Sequence, residues 1–148
     1  MYKIRHKKPI TYDFDLIIIG SGAGGGIAAH LAASEGKKVG IIESSHIGGD
    51  CPNASCVPTK ALLKAVETLE SVQSANQFGV RASAINFNYK SVQDWKNKAV
   101  HATGVHDESK VFKSENIVVI KGLAHFITPW TVSVGLRHYS ARSFLIAT

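Results

Sequence analysis

The apolar positions of this chain fall into three unbroken runs, three helical stretches and a closing region of alternation. Asp15–Gly20, DLIIIG, is continuous and ends on glycine. A short apolar run without alternation suits a central strand of a parallel sheet, covered on both faces. KVGIIE at Lys38–Glu43 and NIVVIK at Asn116–Lys121 repeat the pattern and predict the second and third parallel strands. Between the first two, GIAAHLAASEG carries small apolar residues at helical spacing, and Gly36 supplies its C-cap. A second helix is predicted from Cys56 through ALLKAVETLESV, followed by an irregular stretch, Asn76–Asn88, around Gly79. Val92, Trp95, Ala99, Ala102 and Val105 space a long helix from Lys90 to about Lys113, with Gly104 as a point of interruption. Residues 123–147 then alternate as LAHFI, TVSV, RHYS and FLIA, an antiparallel meander. The expected fold is α/β: a parallel sheet with flanking helices over residues 13–148, closed by an antiparallel β-meander. Residues 1–12 show no periodicity and read as a flexible basic arm.

Composition narrows the class. At 148 residues, with 45% hydrophobic and 19% charged positions, the chain has the make-up of one soluble globular domain. Its apolar runs fall far short of the roughly 20 residues of a membrane span. No secretory leader opens it, so a cytoplasmic setting is expected. The net charge of +6 invites a nucleic-acid reading, but four of the seventeen basic residues (Lys3, Arg5, Lys7, Lys8) crowd into the first eight positions. The rest are scattered without interleaved aromatics, so no phosphate-tracking stripe forms and no nucleic-acid partner is expected.

The turn after the first strand carries candidate chemistry. Gly20, Gly22 and Gly25 stand in a G-x-G-x-x-G arrangement that includes Ala23 and Gly24. Gly20 permits the tight turn, Gly22 lets backbone approach a diphosphate, and Gly25 lets helix and strand pack closely. The N–H groups at the helix start and its dipole then hold the anion. Glu43, 23 residues beyond Gly20 at the end of the second strand, is placed to accept from ribose hydroxyls. Ser44 and Ser45 admit two readings, as a phosphate contact or as turn residues. Strand, glycine turn, helix and acid together point to a dinucleotide.

The two cysteines of the chain, Cys51 and Cys56, stand five residues apart in GGDCPNASCVPTK. A five-residue step on a regular helix turns about 500°, pointing the side chains about 140° apart. They can therefore pair only if the chain around Cys51 is not regular helix. Cys51–Ser55 accordingly reads as an irregular lead-in, and Cys56–Lys60, with Pro58, as a first helical turn. At that positive helix end, with Lys60 one turn on, a Cys56 thiolate is favoured. A zinc site with His46 would lack a fourth ligand, so no metal is expected. His101, His106, His125 and His138 read as surface residues, Trp95 and Trp130 as packing.

This stretch resembles the redox motif of the flavin-dependent pyridine nucleotide–disulfide oxidoreductases, GGxCxxxGCxPxK. It matches at Gly48, Gly49, Cys51, Cys56, Pro58 and Lys60, and departs at Asp50, usually threonine, and Ser55, usually glycine. The resemblance implies a Rossmann-like FAD-binding domain whose first glycine turn holds FAD. It places Gly49, Asp50, Cys51 and Lys60 against the cofactor. Gly122 and Ala124 resemble a G-x-A/G-x-F segment whose backbone meets adenine, and Ala147–Thr148 a returning strand end near the flavin. It implies a catalytic Cys51–Cys56 disulfide, with Cys56 the flavin-facing thiolate and Cys51 the interchange thiol. Electrons would pass between NAD(P)H, FAD, this pair and a small-molecule disulfide or dithiol of the dihydrolipoamide type, with mercuric ion as the alternative substrate. An isolated, inactive FAD-binding module is a further reading. The matched span corresponds to about the first third of a full-length member. The NAD(P) domain and the dimerisation domain, with its His–Glu acid–base pair, are therefore expected outside this sequence, and the full-length protein is expected to be a homodimer.

Overall fold

A computed structural model of the chain describes residues 8–107, 111–112 and 116–148. Most of the arm expected over residues 1–12 lies outside them; from Lys8 to Tyr12 the chain has no regular element. The chain divides into two compact units, one formed by the chain up to Gly49 and from Val105 onward, the other by Asp50–Gly104.

The first unit is a sheet built as the apolar runs predict. β1 (Phe14–Ile19), β2 (Val39–Glu43) and β3 (Ile117–Lys121) lie parallel, in register Leu16 beside Val39 and Val39 beside Ile117. Ile17, Ile18, Val39 and Ile41 are fully buried, because both faces of these strands are covered. On one face Ile18, Val39, Ile41 and Ile117 meet Ala29 and Ala33 of helix α1 (Ala23–Ser34), together with Ile47 and Phe112. On the other, Phe14, Ile17, Ile42 and Ile120 meet Val132, Val134 and Ala141 of the closing strands. The small residues of α1 are what let it lie close. A Cβ on Gly25 would collide with the Gly20 carbonyl, a backbone atom with no freedom to yield.

The closing strands are β4 (Ala124–Thr128), β5 (Thr131–Val134) and β6 (Arg137–Ile146). RHYS and FLIA, expected as separate strands, are one ten-residue β6. Its first half pairs antiparallel with β5, its second half parallel with β1, giving a single sheet in the order β3-β2-β1-β6-β5-β4. Ala141 lies at the changeover, fully buried beside Phe14. Asp13 fastens the junction: its carboxylate accepts from the Ser140 N–H and hydroxyl at 2.8 Å each, and its own N–H donates to Ser140 Oγ at 3.1 Å. Ile19, Ile42 and Ile146 are thereby aligned, so the loops after β1 and β2 and the end of β6 leave the sheet at one edge, beside the end of β3.

The second unit is helical. α2 (Asp50–Asn53) is a single turn, α3 (Cys56–Ser74) runs into a 3₁₀ turn at Ala75–Phe78, and α4 is Tyr89–Ala102. Asn88 caps α4 by accepting from Ser91 N–H at 3.0 Å, and Trp95 Nε1 donates to the Ala61 carbonyl at 3.1 Å, tying α4 to α3. The helix expected to reach Lys113 stops at Ala102. Thr103 caps it, and the left-handed Gly104 turns the chain away; part of that expectation, residues 108–110 and 113, lies outside the described residues. Helical spacing continued past Ala102 in the sequence, but a glycine two residues on ended it.

Candidate functional site

Two constellations carry chemistry, one in each unit. In the sheet unit, the loops meet at the carboxyl ends of the strands, where open α/β sheets bind ligands. Gly20 has φ +101°, and a Cβ there would lie 2.5 Å from the Ala147 carbonyl, so only glycine lets the turn pass the end of β6. Gly22 is the N-cap of α1, and a Cβ built on it meets nothing within 4 Å. The first helical bond is Gly26 N–H to the Gly22 carbonyl, 2.8 Å. The N–H groups of Ala23, Gly24 and Gly25 precede that bond and have no partner within the helix. Glycine at the cap offers no side chain to satisfy them, so this end suits an anion.

Beside it stands Glu43. Its Oε2 accepts from Ser21 N–H at 2.9 Å and Ser21 Oγ at 2.7 Å, and Oε1 accepts from Ser45 N–H at 2.8 Å. Partial burial pushes the carboxyl pKa up. Hydrogen bonds from the Ser21 hydroxyl and the N–H groups of Ser45, Ser21 and Ser44 outweigh it and hold the group below its ordinary value. The Ser21 hydroxyl also accepts from Gly48 N–H at 3.1 Å, so one buried serine joins the glycine turn, the acid and the loop after β2. Gly49 closes that loop against the turn: φ is +68°, and a Cβ would sit 2.9 Å from Gly22 Cα. Gly122 N–H donates to the Glu43 carbonyl at 2.9 Å, bringing the chain after β3 to the same edge.

The expected residues Gly20, Gly22, Ala23, Gly24, Gly25, Glu43, Ser44, Gly49, Gly122, Ala147 and Thr148 thus share one edge, with Ala124 just beyond it in β4. Ser21 was missed. The only sign of it in the sequence is a hydroxyl inside a glycine run, where a third glycine or an alanine would serve the turn equally well.

In the helical unit the cysteines lie on either side of a break. Cys51 is in α2, a turn of helix where an irregular lead-in was expected. The Asp50 carbonyl ends that turn by accepting N–H bonds from Ala54 and Ser55, both at 2.8 Å. Ser55, at φ −121° and ψ −84°, lies outside helical geometry, and Cys56 begins α3 as expected. A single helical turn and a long helix with a kink between them bring together sulfurs that one continuous helix would hold apart. Asp50, Cys51, Cys56 and Lys60 are all exposed.

Both cysteines are free thiols within hydrogen-bonding reach of each other. The Cys51 hydrogen bond holds the Cys56 pKa below that of an ordinary thiol, aided by the Ser55 hydroxyl, the Lys60 charge and the Cys56 N–H. The same bond, with desolvation and the Cys56 charge, pushes Cys51 up against a smaller pull from Lys60. The pair is therefore split: Cys56 is the first of the two to ionise and Cys51 the second. The direction matches the expectation for Cys56, but the leading cause is the partner thiol rather than the helix end or the lysine.

A profile of the pyridine nucleotide-disulphide oxidoreductases matches residues 14–148. The chain is 38% identical over 136 residues to a dihydrolipoyl dehydrogenase of Thermus scotoductus, covering 91% of this chain and 29% of that protein. It is 32% identical over 138 residues to the dihydrolipoyl dehydrogenase of Geobacillus stearothermophilus, covering 90% and 29%. To the glutathione reductase of Burkholderia cepacia it is 36% identical over 138 residues, covering 93% and 30%. The chain spans less than a third of the length of these relatives.

Proposed function

The chain belongs to the pyridine nucleotide-disulphide oxidoreductase family, and from that premise we propose that it holds FAD in its sheet unit and carries a redox-active Cys51–Cys56 pair serving a thiol–disulfide oxidoreductase that works with NAD(P). The single observation behind the reading is the thiol pair itself, two free cysteines on either side of the kink at Ser55, with Cys56 the more readily ionised. Ordinary buried or surface cysteines have no reason to be paired and polarised in this way.

The fold supports the cofactor assignment. The uncapped start of α1, open in front of Gly22, would hold a diphosphate through backbone N–H groups. Glu43, kept ionised by Ser21 and Ser45, would accept a ribose hydroxyl at Oε1, its Oε2 being committed to Ser21. When bound, FAD would supply two-electron transfer between a nicotinamide and the sulfur pair. The chain's own residues do the rest. Cys51, the proposed interchange thiol, must give up its proton before it attacks a substrate sulfur, because exchange needs a thiolate. Cys56 and Lys60 stabilise the negative charge left on the pair.

The proposed substrate is a dithiol of the dihydrolipoyl type, supported by the names of the Thermus and Geobacillus relatives. A glutathione-type disulfide is the second reading, supported by the Burkholderia relative and by the same exchange chemistry run in the reducing direction. Thiol counting on the purified chain tests the pair. Equilibration with oxidised dithiothreitol should remove both reactive thiols, reduction should restore two, and Cys51→Ser or Cys56→Ser should leave one that oxidation does not protect. Two thiols that stay reactive after oxidation would end the redox reading. Titration with FAD tests the cradle separately: a perturbed flavin spectrum is expected, and loss of binding in Gly22→Val.

A further inference from the structure

Ser55 occupies the position where the motif this stretch resembles has glycine, and its side chain does something unusual for its place in the fold. It is the N-cap residue of α3. A serine there ordinarily turns its oxygen inward to accept from a first-turn N–H. Ser55 makes no such capping bond among the described residues. Its Oγ lies 3.6 Å from Cys56 Sγ, a hydrogen-bonding distance for sulfur. Cys56 therefore has two side-chain hydrogen-bond partners, Cys51 on α2 and Ser55 at the kink, with the Lys60 charge one turn further along α3.

We infer that Ser55 is a positioning residue for the cysteine pair, its hydroxyl donating to the Cys56 thiolate and so favouring the dithiol form over the disulfide. The inference rests on reading Cys51 and Cys56 as a redox pair. A thiolate has no proton to give, so once Cys56 ionises only the hydroxyl can donate, and the bond becomes charge-assisted. In the disulfide the same sulfur is neutral and a poor acceptor. The bond therefore contributes more to the reduced state, and stabilising the reduced state makes a disulfide easier to reduce. The step balances with an external dithiol as reductant. The Cys51–Cys56 S–S bond breaks, taking two electrons and one proton to give the Cys51 thiol and the Cys56 thiolate. The reductant closes its own S–S bond and releases its second proton to solvent. A glycine in place of Ser55 offers nothing to this sulfur.

The test is a redox titration of the 148-residue chain in dithiothreitol buffers, paired with the pH dependence of thiolate absorbance near 240 nm. Ser55→Ala removes the hydroxyl, Ser55→Gly installs the motif residue, and Ser55→Thr keeps a hydroxyl. Ala and Gly are expected to shift the equilibrium three- to tenfold toward disulfide, tenfold being about 30 mV for a two-electron couple. Thiolate formation should move to higher pH in both, and Thr should restore both readings. A wild-type pair that titrates normally, with Ala indistinguishable from it, would overturn the inference and leave the redox pair standing. A shift in Gly without one in Ala would assign the effect to backbone freedom and overturn it equally. A wild-type chain that forms no disulfide at all would remove the parent reading and this one together.

Discussion

In the sheet unit Ile17, Ile18, Val39 and Ile41 are sealed from solvent, whereas in the helical unit only Pro58 and Ala61 of α3 are buried and α4 is half-buried or exposed along its length. The candidate groups follow the same division. Ser21 is 1% exposed and fixes Glu43 from inside the fold, while Cys51, Ser55, Cys56 and Lys60 hold one another at the surface. The cradle is shaped by packing, so damage to it should appear as lost stability. The sulfur pair is shaped by hydrogen bonds and charge among exposed groups, so damage there should appear as altered chemistry in a protein that folds normally.

The largest expected effect lies where α1 presses on the glycine turn. Gly25→Leu drives a side chain into the Gly20 carbonyl and must lift α1 from β1. A cost above about 4 kcal/mol is expected, with loss of the cooperative transition in urea and of FAD binding. Gly24→Ala, whose Cβ meets nothing within 4 Å, should leave the transition in place. Similar behaviour in the two variants would break the account of close packing. Next in size is a direct contrast between units. Ile17→Ala should cost about 2–5 kcal/mol in urea unfolding followed by circular dichroism. Leu63→Ala, on an exposed face of α3, should stay within about 0.5 kcal/mol. Equal losses would mean that the two units do not differ as described.

Much of the sheet unit was legible because its strands are buried on both faces, which writes unbroken apolar runs into the chain. The glycine turn, the acid 23 residues on and the sulfur motif were legible because each needs particular residue types at fixed spacing. β6 was not. Its two halves have different partners and different burial, so Ala141-Arg142-Ser143 reads as a gap between strands although Ala141 is the point where they join. The division into two units was hidden too, since nothing in composition changes between Gly49 and Asp50. Ser21 and Ser55 share a different reason: a serine's hydrogen-bond partner depends on what the fold brings near it, and pattern alone does not say.

Ser21→Ala sharpens the comparison from the buried side. It leaves Gly48 N–H without its acceptor and strips Oε2 of Glu43 of one donor. A loss of about 1–3 kcal/mol at pH 7 is expected, most of it from the buried N–H because Glu43 is partly exposed. The pH dependence separates the two parts. Glu43 is held below its ordinary 4.5, so its contribution is complete above that pH and fades as pH falls through the lower folded midpoint. The gap between wild type and Ser21→Ala should therefore hold from pH 7 to about 4.5 and narrow below it. A gap unchanged at pH 3 would assign the whole effect to Gly48.

The smallest expected effect belongs to Lys60, and it discriminates best between the two ways of holding a group. Lysine and sulfur are both exposed, and the lysine acts on Cys56 through charge alone, behind the Cys51 and Ser55 hydrogen bonds. A charge acting through solvent is screened by salt, with a Debye length of about 10 Å at 0.1 M and 3 Å at 1 M. A hydrogen bond is not. Lys60→Gln should slow iodoacetamide alkylation of reduced Cys56 at pH 7 by less than about threefold at low salt, and 1 M salt should erase the difference between variant and wild type. The slowing caused by Ser55→Ala should survive the same salt. If both differences vanished in salt, the hydroxyl would be acting only as part of a diffuse field, and the sulfur pair would be held by charge rather than by directed bonds.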